Sequence, residues 1–225
     1  VRVLSWNLFH GRSLPAAGRD LEERFAGLLA GWEWDVALLQ EAPPWWPRSL
    51  ARAAGAQERT TLTSRNALLP LRRALARRWP DLTRSNGGGA NAVLARQPIL
   101  AQRALRLRRW PERRVAQLVR LASGVCLANY HASTRAPLAE EELRRLWEHA
   151  LAWAGGAPLV LGGDLNLRDP RPAGGAALLA SRDVDHLFAR GLRAAREPRL
   201  LDRHVSLDGR AVQLSDHVPL LLELG

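Results

Sequence analysis

The stretch that most constrains this chain is Leu159-Val160-Leu161-Gly162-Gly163-Asp164-Leu165-Asn166. The apolar run reads as a buried strand, and the two glycines let the backbone turn and leave room for a close approach. In an extended segment side chains alternate, so Asp164 and Asn166 project to the same side. A carboxylate and an amide are thus fixed together at a strand's carboxyl end, where layered sheets commonly open onto an active site. Alone, the octapeptide is equally a strand followed by a polar turn, and the other segments must decide.

Strands are expected over residues 1–6 and 34–40, with a helix over 20–32 between them. That helix has Leu21, Phe25, Leu28 and Leu29 at helical spacing and acidic residues in its first turn. Residues 43–47 read as a rigid aromatic loop, 48–54 as a short helix, and 70–79 as a helix strongly basic on one side. Consecutive strands follow over 91–96, 100–107, 114–122 and 125–130. Residues 137–153 form a helix with Leu143, Leu146, Trp147, Ala150 and Leu151 on one face. After the pivotal strand come a loop, a short helix near 175–181, and strands at 184–189 and 218–224. Strands and helices mix without strict alternation, which favours two mixed sheets covered by helices over a doubly wound parallel sheet.

A length of 225 residues suits one domain spanning 1–225 with a sizeable core. No apolar run approaches the ~20 residues that span a bilayer. The chain begins at Val1 and has no Met, which points to a trimmed N-terminus; no leader pattern is visible, and a cytoplasmic location is expected. The single Cys126 has no partner for an internal disulfide. Net charge is +11 and all 33 basic residues are Arg, a bias that reads as GC-rich coding. Whatever its origin, such a surface attracts polyanions and anionic membranes.

Polar residues interrupt the apolar runs at corresponding places. Asn7 follows Val3 to Trp6, Glu41 follows Val36 to Gln40, and His131 follows Val125 to Tyr130. Asp164 and Asn166 follow Leu159 to Leu161, Asp185 lies within Val184 to Phe188, and Asp216-His217 precedes Val218. One strand-end Asp is usually a turn residue or cap; six such coincidences point to a gathered site. His10, His149, His186 and His204 are set aside as structural. Carboxylate and amide oxygens without a Cys/His cluster suit Mg²⁺, or Mn²⁺, better than structural zinc. Phosphate transfer needs such a metal, an oriented water and cations to spread negative charge.

The ordered series Leu4-Ser5-Trp6-Asn7, Leu38-Leu39-Gln40-Glu41, Tyr130-His131, Gly162-Gly163-Asp164-Leu165-Asn166, Val184-Asp185-His186-Leu187-Phe188 and Ser215-Asp216-His217-Val218-Pro219 resembles the endonuclease/exonuclease/phosphatase superfamily, the DNase I-like fold. The resemblance implies an α/β (α+β) four-layer sandwich, with two mixed β-sheets face to face and helices outside. It also implies a divalent-metal phosphoesterase. Glu41 then matches the principal metal ligand, with Asn7 beside it and Asp216 completing the metal side. Asp164 matches the residue that orients or deprotonates the attacking water, and Asn166 would hold that water or a phosphate oxygen. His217 matches the histidine on the scissile phosphate, with Asp185 orienting it. His131 stands where the family has His or Tyr near the leaving group, and the His form is more similar to the DNase I and sphingomyelinase branches.

Arg103, Arg106, Arg108, Arg109, Arg113 and Arg114 bracket Trp110-Pro111. They read either as a phosphate clamp or as a solvated hairpin. Arg113 or Arg114 is the expected substrate contact, with Asn91 a weaker one. Trp45-Trp46 could stack on a base, dip into a membrane interface, or pack. Asn86 to Asn91 is not a nucleotide-binding fingerprint and reads as a turn. The leading expectation is a nuclease, a phosphodiesterase with DNA or RNA as partner, working as a monomer without a stable protein partner. The alternatives are a lipid-head-group or small-molecule phosphoesterase, and a catalytically silent binding module.

Overall fold

The computed structural model describes residues 1–64, 66–83 and 89–225; residues 86–88 of the glycine turn at 86–91 lie outside the described residues. One six-stranded sheet has the order β12 (Arg199–Leu200), β15 (Leu220–Glu223), β1 (Arg2–Asn7), β3 (Val36–Ala42), β5 (Ala90–Ala95), β4 (Gln57–Leu62). The other has the order β10 (Ala177–Arg182), β11 (Asp185–Arg190), β9 (Leu159–Asp164), β8 (Cys126–His131), β7 (Arg114–Leu121), β6 (Ile99–Arg108). A small third sheet joins β13 (His204–Leu207), β14 (Arg210–Leu214) and β2 (Ser13–Leu14). The helices are α1 (Glu22–Gly31), α2 (Pro47–Ala53), α3 (Leu69–Arg78), α4 (Pro80–Thr83) and α5 (Ala136–Ala154).

The two large sheets pack face to face as the resemblance implied. Val3, Val36, Leu38 and Val93 of one meet Val119, Leu127, Val160 and Leu187 of the other. The strand residues between them face outward. Leu4, Trp6 and Leu39 join Phe25, Leu29 and Leu50 under α1 and α2, while Leu161 and Phe188 join Leu146 and Trp147 under α5. Both faces of each central strand are therefore buried, which is why these strands read as continuous apolar runs rather than alternating ones. Trp46 is core, tilted on the Phe25 ring at 5.2 Å, and Trp45 packs beside it, so the packing reading of that pair holds.

Topology gathers the polar residues. β1 runs parallel to β3, and β8 runs parallel to β9, so Asn7, Glu41, His131 and Asp164 all lie at carboxyl ends. β11 is antiparallel to β9 with Asp185 opposite Asp164. β15 is antiparallel to β1, which returns Asp216 and His217 to the same edge.

The expected helix near 175–181 is instead the strand β10, paired with β11. Ala and Leu favour a helix by propensity. However, Gly174 and Gly175 adopt φ of 60° and 77°, and a tight turn at Asp183 (φ 53°) folds the segment back onto β11. The polar edge strand β4, the exposed edge strand β12 and the short strands β13 and β14 were not expected, because each carries at most two buried apolar residues. Among the described residues no helix is long and apolar enough to cross a membrane.

Candidate active site

The gathered edge opens into a cavity of about 290 Å³ whose lining includes His10, Glu41, Arg114, His131, Asp216 and His217. Asp164 is buried behind this lining, its Oδ2 against His131 and His217. The glycine before it is obligatory. Gly163 adopts φ +135°, and a Cβ there would lie 1.9 Å from the Tyr130 carbonyl oxygen. Asp164 Oδ2 accepts from Asn7 Nδ2 at 2.9 Å, and Oδ1 accepts from the Asn166 backbone N–H at 3.1 Å. Burial, together with the charge of Asp185, raises Asp164 to about 6 against the pull of His217 and these hydrogen bonds.

His217 is held from three sides. Its Nδ1 lies 2.7 Å from Asp185 Oδ2, its backbone N–H donates to Ser215 Oγ, and its carbonyl accepts from Trp6 Nε1. Its Nε2 faces Asp164 Oδ2 at 3.7 Å and Asp216 Oδ1 at 3.8 Å. Burial alone would lower this imidazole. The Asp185 hydrogen bond and charge, with Asp164 and Asp216, outweigh it and raise His217 to about 9. His131 differs: burial, with Arg114, His10 and His217 around it, pushes it well below the ordinary range, so it is neutral. It lies between Asp164 Oδ2, 3.4 Å from Nε2, and Glu41 Oε1, 3.7 Å from Nδ1.

Glu41 closes the acidic side. Burial, with Asp164 and Asp216 nearby, raises it to about 7 despite His217 and Arg114. This cluster fits a divalent cation. It concentrates carboxylates that resist ionising together, and Asp185 Oδ1 is buried without a hydrogen-bond partner. One atom each of Asp164, Asp185 and His217 fall within 4.8 Å of one another. Yet Asp164 is already held by Asn7 and Asn166 and Asp185 Oδ2 by His217, whereas Glu41 and Asp216 both line the cavity.

Not every expected residue converges. Asn7 does, but its amide is occupied on both sides, since Oδ1 accepts the Phe9 N–H at 2.9 Å. Asn166 adopts φ 50° and gives its side-chain N–H to the Ala132 carbonyl, so it braces the loop beside Asp164. Asn91 is a buried inter-sheet brace, donating to the Val115 carbonyl at 2.9 Å. Arg114 lines the cavity with its Nε buried and unpartnered, whereas Arg113 is exposed and outside the lining.

Sequence reasoning missed His10. Its Nε2 lies 3.1 Å from Glu41 Oε2, although it was grouped with three structural histidines. The sequence carried no signal for it, since its approach to Glu41 depends on the left-handed turn at Phe9, His10 and Gly11. His186 is buried between Ser181 and the Leu167 carbonyl, His204 is an exposed partner of Asp202, and His149 is exposed. Also missed were Gln40 and Asn129, whose side chains bridge the sheets at 2.8 Å beneath the site.

The profile of the Endonuclease/Exonuclease/phosphatase family matches residues 4–217. Among solved structures, an endonuclease/exonuclease/phosphatase from Beutenbergia cavernae DSM 12333 is 20% identical with a TM-score of 0.70, over 100% of this chain and 71% of that one. A humanised D. rerio TDP2 is 18% identical with a TM-score of 0.71, covering 100% and 98%. A mannosyl-6-phosphatase from Bacteroides thetaiotaomicron is 15% identical with a TM-score of 0.73, covering 100% and 99%. A search of the curated proteins gives no match. The fold, the converging strand ends and the family match agree: the chain belongs to the endonuclease/exonuclease/phosphatase family, whose members are phosphoric ester hydrolases.

Proposed function

We propose that this phosphoesterase is a divalent-metal-dependent phosphodiesterase, a nuclease foremost, that directs water in line at phosphorus. The observation that carries the reading is the pairing of the buried Asp164 with the cavity-lining His217, one a base and the other a cation, 3.7 Å apart.

Asp164, held in orientation by Asn7 and the Asn166 backbone, is ionised at neutral pH. With a pKa raised to about 6 it is also basic enough to draw a proton from water. His217 is an imidazolium. Its Nδ1–H is fixed on Asp185, so Nε2–H is aimed into the cavity, where it can donate to a phosphoryl oxygen and return a proton to the departing oxygen. Arg114 adds a delocalised charge that suits phosphate oxygens. His131, being neutral, serves as a close neighbour of Asp164 rather than as the proton source at the leaving group. A cation held by Glu41 and Asp216 would withdraw charge from the phosphoryl group and relieve the acidic cluster.

Polyanionic substrates are favoured by the net charge of +11 and by Arg106 and Arg109 beside the exposed Trp110 on the β6–β7 hairpin. A second reading, phosphodiester hydrolysis at a lipid surface, draws on the same hairpin, where Trp110 is 82% exposed, and on Leu68, Leu71, Leu75 and Trp79, exposed along α3.

The test is a substrate panel with MgCl₂ or MnCl₂: plasmid DNA, single-stranded DNA, RNA, bis-p-nitrophenyl phosphate, sphingomyelin vesicles, inositol phosphates and a sugar phosphate. Cleavage of nucleic acid that is lost with chelator and with Asp164→Ala is the expected result. Turnover of phosphomonoesters alone, or turnover that survives chelation, overturns it.

A further inference from the structure

The turn after β1 is built to present one side chain. Phe9, His10 and Gly11 take φ of 50°, 54° and 78° in succession, and Glu41, across the cavity, takes 48°. Left-handed backbone at a non-glycine residue is strained and persists only where its surroundings enforce it. Here they do. Asn7 Oδ1 takes the Phe9 N–H at 2.9 Å, the Gly11 N–H closes on the Leu8 carbonyl at 2.8 Å, and the Arg12 guanidinium covers the Phe9 ring at 3.7 Å. Gly11 lies against Trp46 so closely that a Cβ would meet its Cη2 at 2.3 Å. The outcome of this construction is His10 Nε2, 3.1 Å from Glu41 Oε2.

That separation matches one edge of a coordination polyhedron, since two neighbouring ligands at about 2.1 Å from an octahedral ion stand about 3 Å apart. Asn7, by contrast, has its amide oxygen turned into the turn and its nitrogen on Asp164. We propose that His10 is a ligand of the cation held at Glu41, and that it makes the site selective for a first-row transition ion such as Mn²⁺ over Mg²⁺. This deepens the metal-dependent reading given above and rests on it. An imidazole nitrogen adds little to a small, hard ion that prefers oxygen, and more to a borderline one.

The experiment is equilibrium binding of MnCl₂ and MgCl₂, each alone, to the intact chain and to His10→Asn. Asn tolerates the left-handed turn but is too short to replace the imidazole at Glu41. The melting profile of the variant checks that it is folded. The Mn²⁺ to Mg²⁺ affinity ratio should fall at least tenfold in the variant through lost Mn²⁺ affinity, with Mg²⁺ affinity changed less than threefold. The nitrogen modulation in the electron spin echo of bound Mn²⁺ should weaken in parallel. An unchanged ratio, or full-depth nitrogen coupling in His10→Asn, overturns the assignment; persisting coupling would place the nitrogen donor on another cavity histidine, His131 or His217. Glu41→Gln separates the two layers of the argument. If it abolishes binding while His10→Asn is silent, only the role of His10 falls; if it leaves both ions bound as before, the metal reading of this cavity falls with it.

Discussion

His217 Nδ1 and Asp185 Oδ2 stand 2.7 Å apart, joining the loop before β15 of one sheet to the first residue of β11 in the other. The pair ties the two sheets together at the edge where the cavity opens and holds His217 as an imidazolium, raised to about 9. In the Asp185→Asn variant the imidazole should revert towards its ordinary value. At pH 8 the charged fraction would fall from about nine-tenths to a few per cent, so kcat/KM should drop about 30-fold, with the alkaline limb moved down by about two pH units. A limb that stays near 9 would detach His217 from this role. The same shift bears on stability. A folded pKa above the unfolded value gives stability that is complete below pH 6.5 and lost as pH rises through 9. The melting temperature should therefore fall between pH 7 and 9, and the fall should flatten in His217→Gln.

In the proposed reaction Asp164 is the base, and Asn7, 2.9 Å from its Oδ2, is its anchor. Asp164→Asn keeps the shape and the hydrogen-bonding reach of the side chain but cannot accept the proton. Loss of about 10²–10⁴-fold in kcat, with KM little changed and the fold intact by circular dichroism, is expected. Asn7→Ala should cost less, about tenfold in kcat, by freeing the carboxylate to rotate. A variant in which Asn7→Ala is worse than Asp164→Asn would reverse the assignment.

Much of this arrangement was legible in the chain, and the reason is topological. A polar residue that ends an apolar run marks the end of a buried strand, and parallel pairing brings such ends together, as with Glu41 beside Asn7 and Asp164 beside His131. His10 was not legible, because nothing in Asn7-Leu8-Phe9-His10-Gly11 says that three left-handed residues in a row will turn the imidazole back towards Glu41. Asn91 misled for the complementary reason. Its position beside the site is real, but its side chain crosses to the Val115 carbonyl of the facing sheet, a contact that only the packing of two sheets creates. Arg113 and Arg114 are neighbours in sequence, and only the lie of β7 decides that Arg114 faces the cavity. The helix expected near 175–181 failed because composition carries no record of an edge strand waiting to be paired.

Gly163 offers a test of the fold rather than of the chemistry. Its φ of +135° and the 1.9 Å approach of the Tyr130 carbonyl leave no place for a methyl group. Gly163→Ala must either break the β8–β9 pairing or push the strands apart. Destabilisation above about 3 kcal/mol, or failure to accumulate folded protein, is expected from denaturant titration. Gly124→Ala is the control: its Cβ would meet nothing within 4 Å, although its φ of +85° still carries a smaller backbone cost of about 1 kcal/mol.

Glu142 is fully buried on α5 and is surrounded by donors. Tyr130 OH at 2.8 Å, the Ser133 N–H at 2.9 Å and Ser133 Oγ at 2.7 Å all converge on it, with Arg108 completing the set. Its partners flank His131 on both sides. Glu142→Leu should destabilise the chain by about 2–3 kcal/mol, because two buried hydroxyls and the Ser133 N–H lose their acceptor while Arg108 keeps Glu141. The milder Glu142→Gln should retain the fold and lower kcat by mispositioning His131. If Glu142→Gln leaves kcat unchanged while lowering the melting temperature, the residue serves only the core.

Glu41 puts stability and function in opposition. Raised to about 7 by burial and by Asp164 and Asp216, its ionised form works against the fold once the pH exceeds that value. A carboxyl whose folded pKa lies above the unfolded one contributes stability that is complete below pH 4.5 and lost as pH rises through 7. At pH 8 the loss is about 3 kcal/mol as an upper bound. Glu41→Gln removes that charge while keeping the shape, at the expense of a weaker contact with His10. In chelator at pH 8 the variant should therefore unfold at higher temperature than the parent chain, by an amount equivalent to about 1–2 kcal/mol, yet be inactive. Adding Mn²⁺ should raise the melting temperature of the parent and leave the variant unmoved, because ligand binding to the folded state is what relieves the acidic cluster. A Glu41→Gln protein that melts lower in chelator, or that is stabilised by Mn²⁺ as strongly as the parent, would place the cation elsewhere.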